Sequence, residues 1–259
     1  MIMLKKLIFA PLFAVAFIIL IYNINPLLKS YDFIFALSTD TLTTLIMISS
    51  LISLSSFLFV LFTSIALEWK IVVPLVIISC LFPLIFLEPA LALVLGVGIL
   101  VSLLLTVLSL DTTLKRYLNF QPSSLLGPPI RNLCGLLILS FCVVYFLTTH
   151  KIVAQEGFQI PDSIIDTALK FASPQGETTL APQNLLKQAV KDQLQSFLKP
   201  YLGFIPAGLA ILLFLTLQSL TSMINLLIYP LLWGTFYVLE KTGFVKFTTE
   251  MRTVKKMVL

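Results

Sequence analysis

Eight uncharged polar residues stand where any chemistry in this chain would have to be done. Ser49, Ser53, Ser56 and Thr63 fall within about 100° of one another at helical spacing, and so do Gln218, Thr221, Ser222 and Asn225. Both sets lie inside long apolar runs, so each forms a polar stripe on an otherwise apolar helix. Hydroxyls and amides with no charged neighbour do not hold an ion or activate a water. They hydrogen-bond between helices, or they line a path for a polar solute. If the two runs are centred at Leu54 and Thr216, Ser56 and Gln218 are each two residues past the centre, and Thr63 and Asn225 are each nine past it. Equal depth predicts hydrogen-bonded contacts Ser56–Gln218 and Thr63–Asn225.

The other reactive residue types point to simpler roles. Asp162 and Asp166 are four apart, the spacing of paired carboxylates on a helix face, yet no third ligand or nucleophile lies near them. Asp162 after Pro161 suits a helix N-cap, and Asp166 precedes Lys170 by the four residues that favour a helix ion pair. Cys80, Cys134 and Cys142 all fall in apolar runs without a CxxC pair, which reads as packing and argues against a zinc site or a disulfide framework. His150 is the sole histidine. No Walker A loop, HExxH or GxSxG occurs. The sequence therefore predicts no catalytic, cofactor-binding or metal-binding residues and no bound cofactor.

The elements that position these residues follow from the distribution of charge. Only 11% of the 259 residues are charged and the mean hydropathy is +1.03, with charges confined to short gaps between uncharged runs. Six runs have the length of a membrane span: Leu7 to Tyr22, Thr41 to Leu67, Ile71 to Leu87, Pro89 to Leu110, Asn132 to Thr149, and a last one starting near Gly203. Each must be helical, because an open strand edge in hydrocarbon leaves backbone groups unpaired and these runs lack the alternation of a barrel. The expected fold is an all-α integral membrane protein of about six transmembrane helices, with an external amphipathic helical pair between helices 5 and 6. Pro74 and Pro83 predict a kink in the third span. Ala92/Gly96 and Gly98/Ser102 give the fourth span small-xxx-small packing faces. The first run, after Lys5 and Lys6, also resembles a signal peptide, but Ala14-Val-Ala16 lies mid-run, so an uncleaved span is expected.

Placing the N-terminus inside assigns 11 of the 17 basic residues and four acidic residues to the cytoplasm, a balance of +7 against −2 outside. This predicts a multi-pass cell-membrane protein with both termini cytoplasmic. The net charge of +5 orients spans and forms no large patch, so nucleic acid is not an expected partner. From Pro200 to Leu239 the chain is uncharged; the charge rule favours one span to about Ile228, broken by Pro230, with Leu231 to Leu239 lying along the inner interface.

The resulting division is residues 1–149 for spans 1–5 with short loops, 150–199 for the external helical segment, 200–240 for span 6 and its interfacial extension, and 241–259 for a basic cytoplasmic tail. In the external segment, Ile164, Ile165, Ala168 and Leu169 share one face, as do Leu186, Ala189, Val190, Leu194 and Phe197 around Lys187 and Lys191. This pair should rest on the bilayer or the bundle, or meet a protein partner. The loop Asp111 to Arg131 places basic residues beside aromatics, which suits anionic headgroups or a docked partner, and its prolines argue against a continuous helix. The tail from Phe244 has Phe247, Met251, Val254 and Val258 at heptad-like spacing, which suits an amphipathic helix on the inner leaflet. The expected role is that of a non-enzymatic accessory, scaffold or assembly component whose partners are the lipid bilayer and a protein bound through the external pair or the cytoplasmic loop. The alternative is a channel or facilitator for a small neutral solute, with an enzyme acting on lipid third.

Overall fold

A computed structural model describes residues 8–29, 39–66, 68–117, 120–158, 193 and 199–245. Among these the chain is helical and has no strand. The helices are α1 (Phe9–Lys29), α2 (Thr39–Ala66), α3 (Trp69–Leu81), α4 (Pro83–Phe86), α5 (Pro89–Arg116), α6 (Pro122–Glu156) and α7 (Ile205–Lys241), with a 3₁₀ turn at Lys199–Tyr201. With α3 and α4 taken together, six helices are long and apolar enough to cross a membrane.

These helices are apolar all round, as buried helices and helices in an apolar solvent are. On α1, Phe13, Phe17, Leu20, Ile21 and Ile24 are buried, while Leu12, Val15, Ile19 and Tyr22 face outward. The inner face packs on α2, where the Phe13 and Phe59 rings lie 5.2 Å apart. Helix α6 is central, with Phe141 and Tyr145 fully buried. Its pairing with α5 is antiparallel: Gly98 meets Ser140, and Glu88 Oε2 is 3.1 Å from Lys151 Nζ nearer the other end of the pair.

Small residues set how closely the helices approach. A Cβ added at Gly96 would lie 2.8 Å from the Cys80 backbone carbonyl oxygen of α3, and one at Gly98 would lie 2.8 Å from Ser140 Cβ of α6. The two glycines thus serve two neighbours, and Ser102 Oγ stands 3.5 Å from Ser140 Oγ on the second of these faces. The third span bends where its prolines predict: α3 ends at Leu81, and Pro83 opens the short α4.

Two expectations about proline are overturned. Helix α7 continues through Pro230 to Lys241 and does not break there. A proline forfeits one backbone hydrogen bond and clashes with the preceding turn, which kinks a helix without ending it if packing holds both sides. Here Leu232, Phe236 and Leu239, at spacing i, i+4, i+7, are buried beyond the proline, and Phe236 meets Phe120 at 5.2 Å. Helix α6 likewise starts at Pro122 and runs through Pro128 and Pro129, so the loop expected over Asp111 to Arg131 shrinks to residues 117–121. Buried Leu126, Ile130 and Leu133 hold that first stretch against the core. The external pair apart from Gln193, with Asp162 and Asp166, and the tail beyond Val245 lie outside the described residues.

Candidate functional site

The sequence-predicted stripe on α2 is buried in full: Ser49, Ser53 and Ser56 are 2% exposed or less and Thr63 is 5% exposed. On α7, Thr221 is buried, Gln218 and Asn225 are half-buried, and Ser222 is exposed. Helix α6 lies between the stripes. Its Cys134 donates to Asn225 Oδ1 over 3.9 Å, while the Ser53 and Ser56 hydroxyls lie beside the same sulfur without a hydrogen bond of good geometry. Gln218 Oε1 stands 3.8 Å from the position a Cβ would take at Gly135. One polar seam therefore runs between α2, α6 and α7.

The expected side-chain pairs are not formed. Ser56 Oγ, Thr63 Oγ1 and Gln218 Oε1 have no hydrogen-bond partner among the described residues, and Asn225 engages Cys134. The reason is register. Helix α7 has its midpoint at Met223, seven residues beyond the Thr216 taken as the centre of a span ending near Ile228, because it continues past Pro230. Through Cys134, Asn225 comes level with Ser53 and Ser56, about two turns from Thr63.

Hydroxyls elsewhere in the bundle bond back to their own helix. Ser50 donates to the Ile46 carbonyl, Ser102 to Gly98, Thr106 to Ser102, Ser140 to Leu136 and Thr216 to Leu212, over 2.7–2.9 Å. The buried hydroxyls of Ser49, Ser53, Ser56, Thr63 and Thr221 make no such bond. Ser55, on another face of α2, behaves the same way, and the Asn25 Oδ1 acceptor in α1 is also without a partner. The local partner is one turn away in a helix, and a serine that does not use it leaves a buried oxygen without a protein partner.

Two openings adjoin the seam. A gap of about 20 Å³, room for one water, is lined by Thr63, Glu68, Val72, Val107 and Asp111. A half-open cleft of about 250 Å³ separates α6 from α7 and is lined by Gly127, Arg131, Ser222, Asn225, Leu226 and Tyr229. Arg131 Nη2 donates to Tyr229 Oη at 3.0 Å, and the Tyr229 ring lies so close to Gly127 that a Cβ there would stand 2.8 Å from Cε1. Arg131–Tyr229 and Cys134–Asn225 match residues further along α6 to residues further back on α7, as an antiparallel pair must. Sequence reasoning missed the α6 side of the site. Gly127, Arg131, Cys134 and Gly135 follow the i, i+4, i+7, i+8 pattern of one helix face, a signal hidden by reading Pro128 and Pro129 as breakers.

The three cysteines are unpaired thiols, and among the described residues no group of three His, Cys, Asp or Glu side chains is arranged to hold a metal ion. What the fold defines is a class: an all-helical bundle, in the described residues, with six helices of membrane-spanning length and hydropathy. No protein-family model, curated protein or solved structure matches the chain.

Proposed function

We propose that this is a non-enzymatic multi-pass membrane protein, with both termini in the cytoplasm, whose α2–α6–α7 seam conducts a small neutral polar solute. One observation carries this reading: buried seam hydroxyls forgo the bond to their own backbone that Ser50 and Thr216 make. Turning back would satisfy them, and a buried orphan costs about 1–3 kcal/mol. Oxygens left unpaired instead offer successive partners to water or to a hydroxylated or amide solute. Ser, Thr, Gln and Asn supply that lining from Ser49 to Thr63 and from Gln218 to Asn225 without a charge, which fits a neutral passenger and not an ion. Purified protein in proteoliposomes should raise glycerol or urea permeability about tenfold over protein-free vesicles, a factor corresponding to roughly 1.4 kcal/mol off the barrier. Equal stopped-flow swelling rates would remove the reading.

A second reading, the accessory or assembly component, is favoured by the close backbone approaches at Gly96 and Gly98, which suit a rigid bundle. Comigration with a stoichiometric partner in mild detergent, without solute flux, is its signature. Topology is tested separately. Single cysteines replacing Ser173 and Thr248 in a cysteine-free background should label from opposite sides of the membrane, and labelling of both by an impermeant reagent in intact cells contradicts the +7 against −2 orientation.

A further inference from the structure

We infer that the cleft between α6 and α7 is a binding site for an anionic phospholipid, with the phosphate at Arg131 and Tyr229. Lys115 and Lys151 are paired with Asp111 and Glu88, whereas Arg131 has a neutral partner, the Tyr229 hydroxyl. A guanidinium carries five donors in a planar fork that matches phosphate oxygens, and one nitrogen is engaged here. Gly127 lets the Tyr229 ring seat against α6, which fixes the hydroxyl that orients the guanidinium. Among the described residues, the cleft lining contains no acidic side chain to neutralise Arg131 or to hold a choline or ethanolamine ammonium.

The remaining lining joins polar donors to an apolar strip. Asn225 and Ser222 follow Tyr229 at one and two turns along α7, about 6 and 10 Å deeper into the bundle. The Asn225 amide nitrogen and the Ser222 hydroxyl are further donors in the cleft, since Asn225 uses its oxygen to accept from Cys134. Beside them Leu226 and Met223 are 69% and 67% exposed, an outward apolar strip for an acyl chain. The phosphate thus meets the cation, with polar donors and an exposed apolar strip beside it, at the end of the bundle where the proposed orientation puts the cytoplasmic leaflet. Basic pockets between helices on that side suit anionic headgroups. The inference rests on the bundle being membrane-embedded and not on solute conduction.

The test uses the full-length protein in mild detergent, with binding read by native mass spectrometry and by thermal protection. Phosphatidylglycerol should bind about tenfold more tightly than phosphatidylcholine. Arg131→Gln should bring the two within about twofold, and Arg131→Lys should keep part of the preference because it retains charge but not the fork. If Arg131→Gln does not fold, Tyr229→Phe takes its place and should lower the preference about threefold through loss of the orienting hydroxyl. Inorganic phosphate and glycerol phosphate form the other arm. Protection by either equal to that by phosphatidylglycerol makes this a soluble-anion site and overturns the lipid assignment. Equal binding of the two lipids by the unaltered protein, or an unchanged preference in the variants, also overturns it. Flotation with phosphatidylcholine vesicles reports embedding on its own, so failure to float discredits the membrane reading, whereas flotation without lipid preference discredits the site alone.

Discussion

Gly96→Val should destabilise the bundle by about 3 kcal/mol, the upper end for an overpacked core, and no side-chain change at Cys80 should restore it. The atom in the way is the Cys80 carbonyl oxygen, 2.8 Å from where the new Cβ must sit. That oxygen lies in the last turn of α3, just before the bend at Pro83, and it can move only with the end of a helix anchored by buried Val72, Val76 and Ser79. Helix propensity works the other way, since glycine is about 1 kcal/mol worse than alanine inside a helix. The steric loss is the larger of the two. Gly98 supplies the contrast, because the atoms crowding a Cβ there belong to the Ser140 side chain. Gly98→Ala should therefore be destabilising alone and largely rescued by Ser140→Gly, which moves the methylene from one helix to the other. Melting of the purified variants in mild detergent measures both. Equal stability of Gly96→Val and the parent, or rescue of that variant by Cys80→Gly, would show that α3 and α5 do not meet at this carbonyl.

The difference between these two glycines marks how far the sequence could be read. Spacing placed Ala92, Gly96, Gly98 and Ser102 on packing faces, because residue size and helical period are local properties. It could not assign Gly96 to α3 and Gly98 to α6, which depends on how separate helices come together. The six long helices were legible for the same local reason: uncharged length is a property of the run itself. The ends of α6 and α7 were not. Pro128, Pro129 and Pro230 carry a local penalty visible in the sequence, while the burial of Leu126, Ile130, Leu232 and Phe236 that offsets it arises only in the assembled bundle. The same error moved the centre of α7 and so misaligned its stripe with that of α2. Which residues on α2 were polar and inward was readable; that Asn225 would meet Cys134 was not.

Filling the seam tests what its hydroxyls are for. Ser53→Leu combined with Ser56→Leu should lower solute flux in proteoliposomes about tenfold, because two isobutyl groups would replace hydroxyls beside Cys134 on the proposed path. Thr63→Val keeps shape and removes one hydroxyl next to the water-sized gap, so its effect should be a few-fold at most. Ser50→Leu is the internal control. It lies on the same helix, is exposed, and satisfies its hydroxyl on the Ile46 carbonyl, so extra bulk there should leave flux unchanged. Stability separates conduction from packing. If the seam hydroxyls hold helices together, Ser53→Ala and Ser56→Ala should each cost roughly 0.6 to 2 kcal/mol, the range for interhelical hydrogen bonds in membranes. If they face a solvated path, each alanine should stay within about 0.5 kcal/mol of the parent, because no protein partner is lost. Flux that falls equally for Ser50→Leu and for the double variant, or that persists when both seam serines are leucine, would move the path elsewhere in the bundle and leave these oxygens as packing groups.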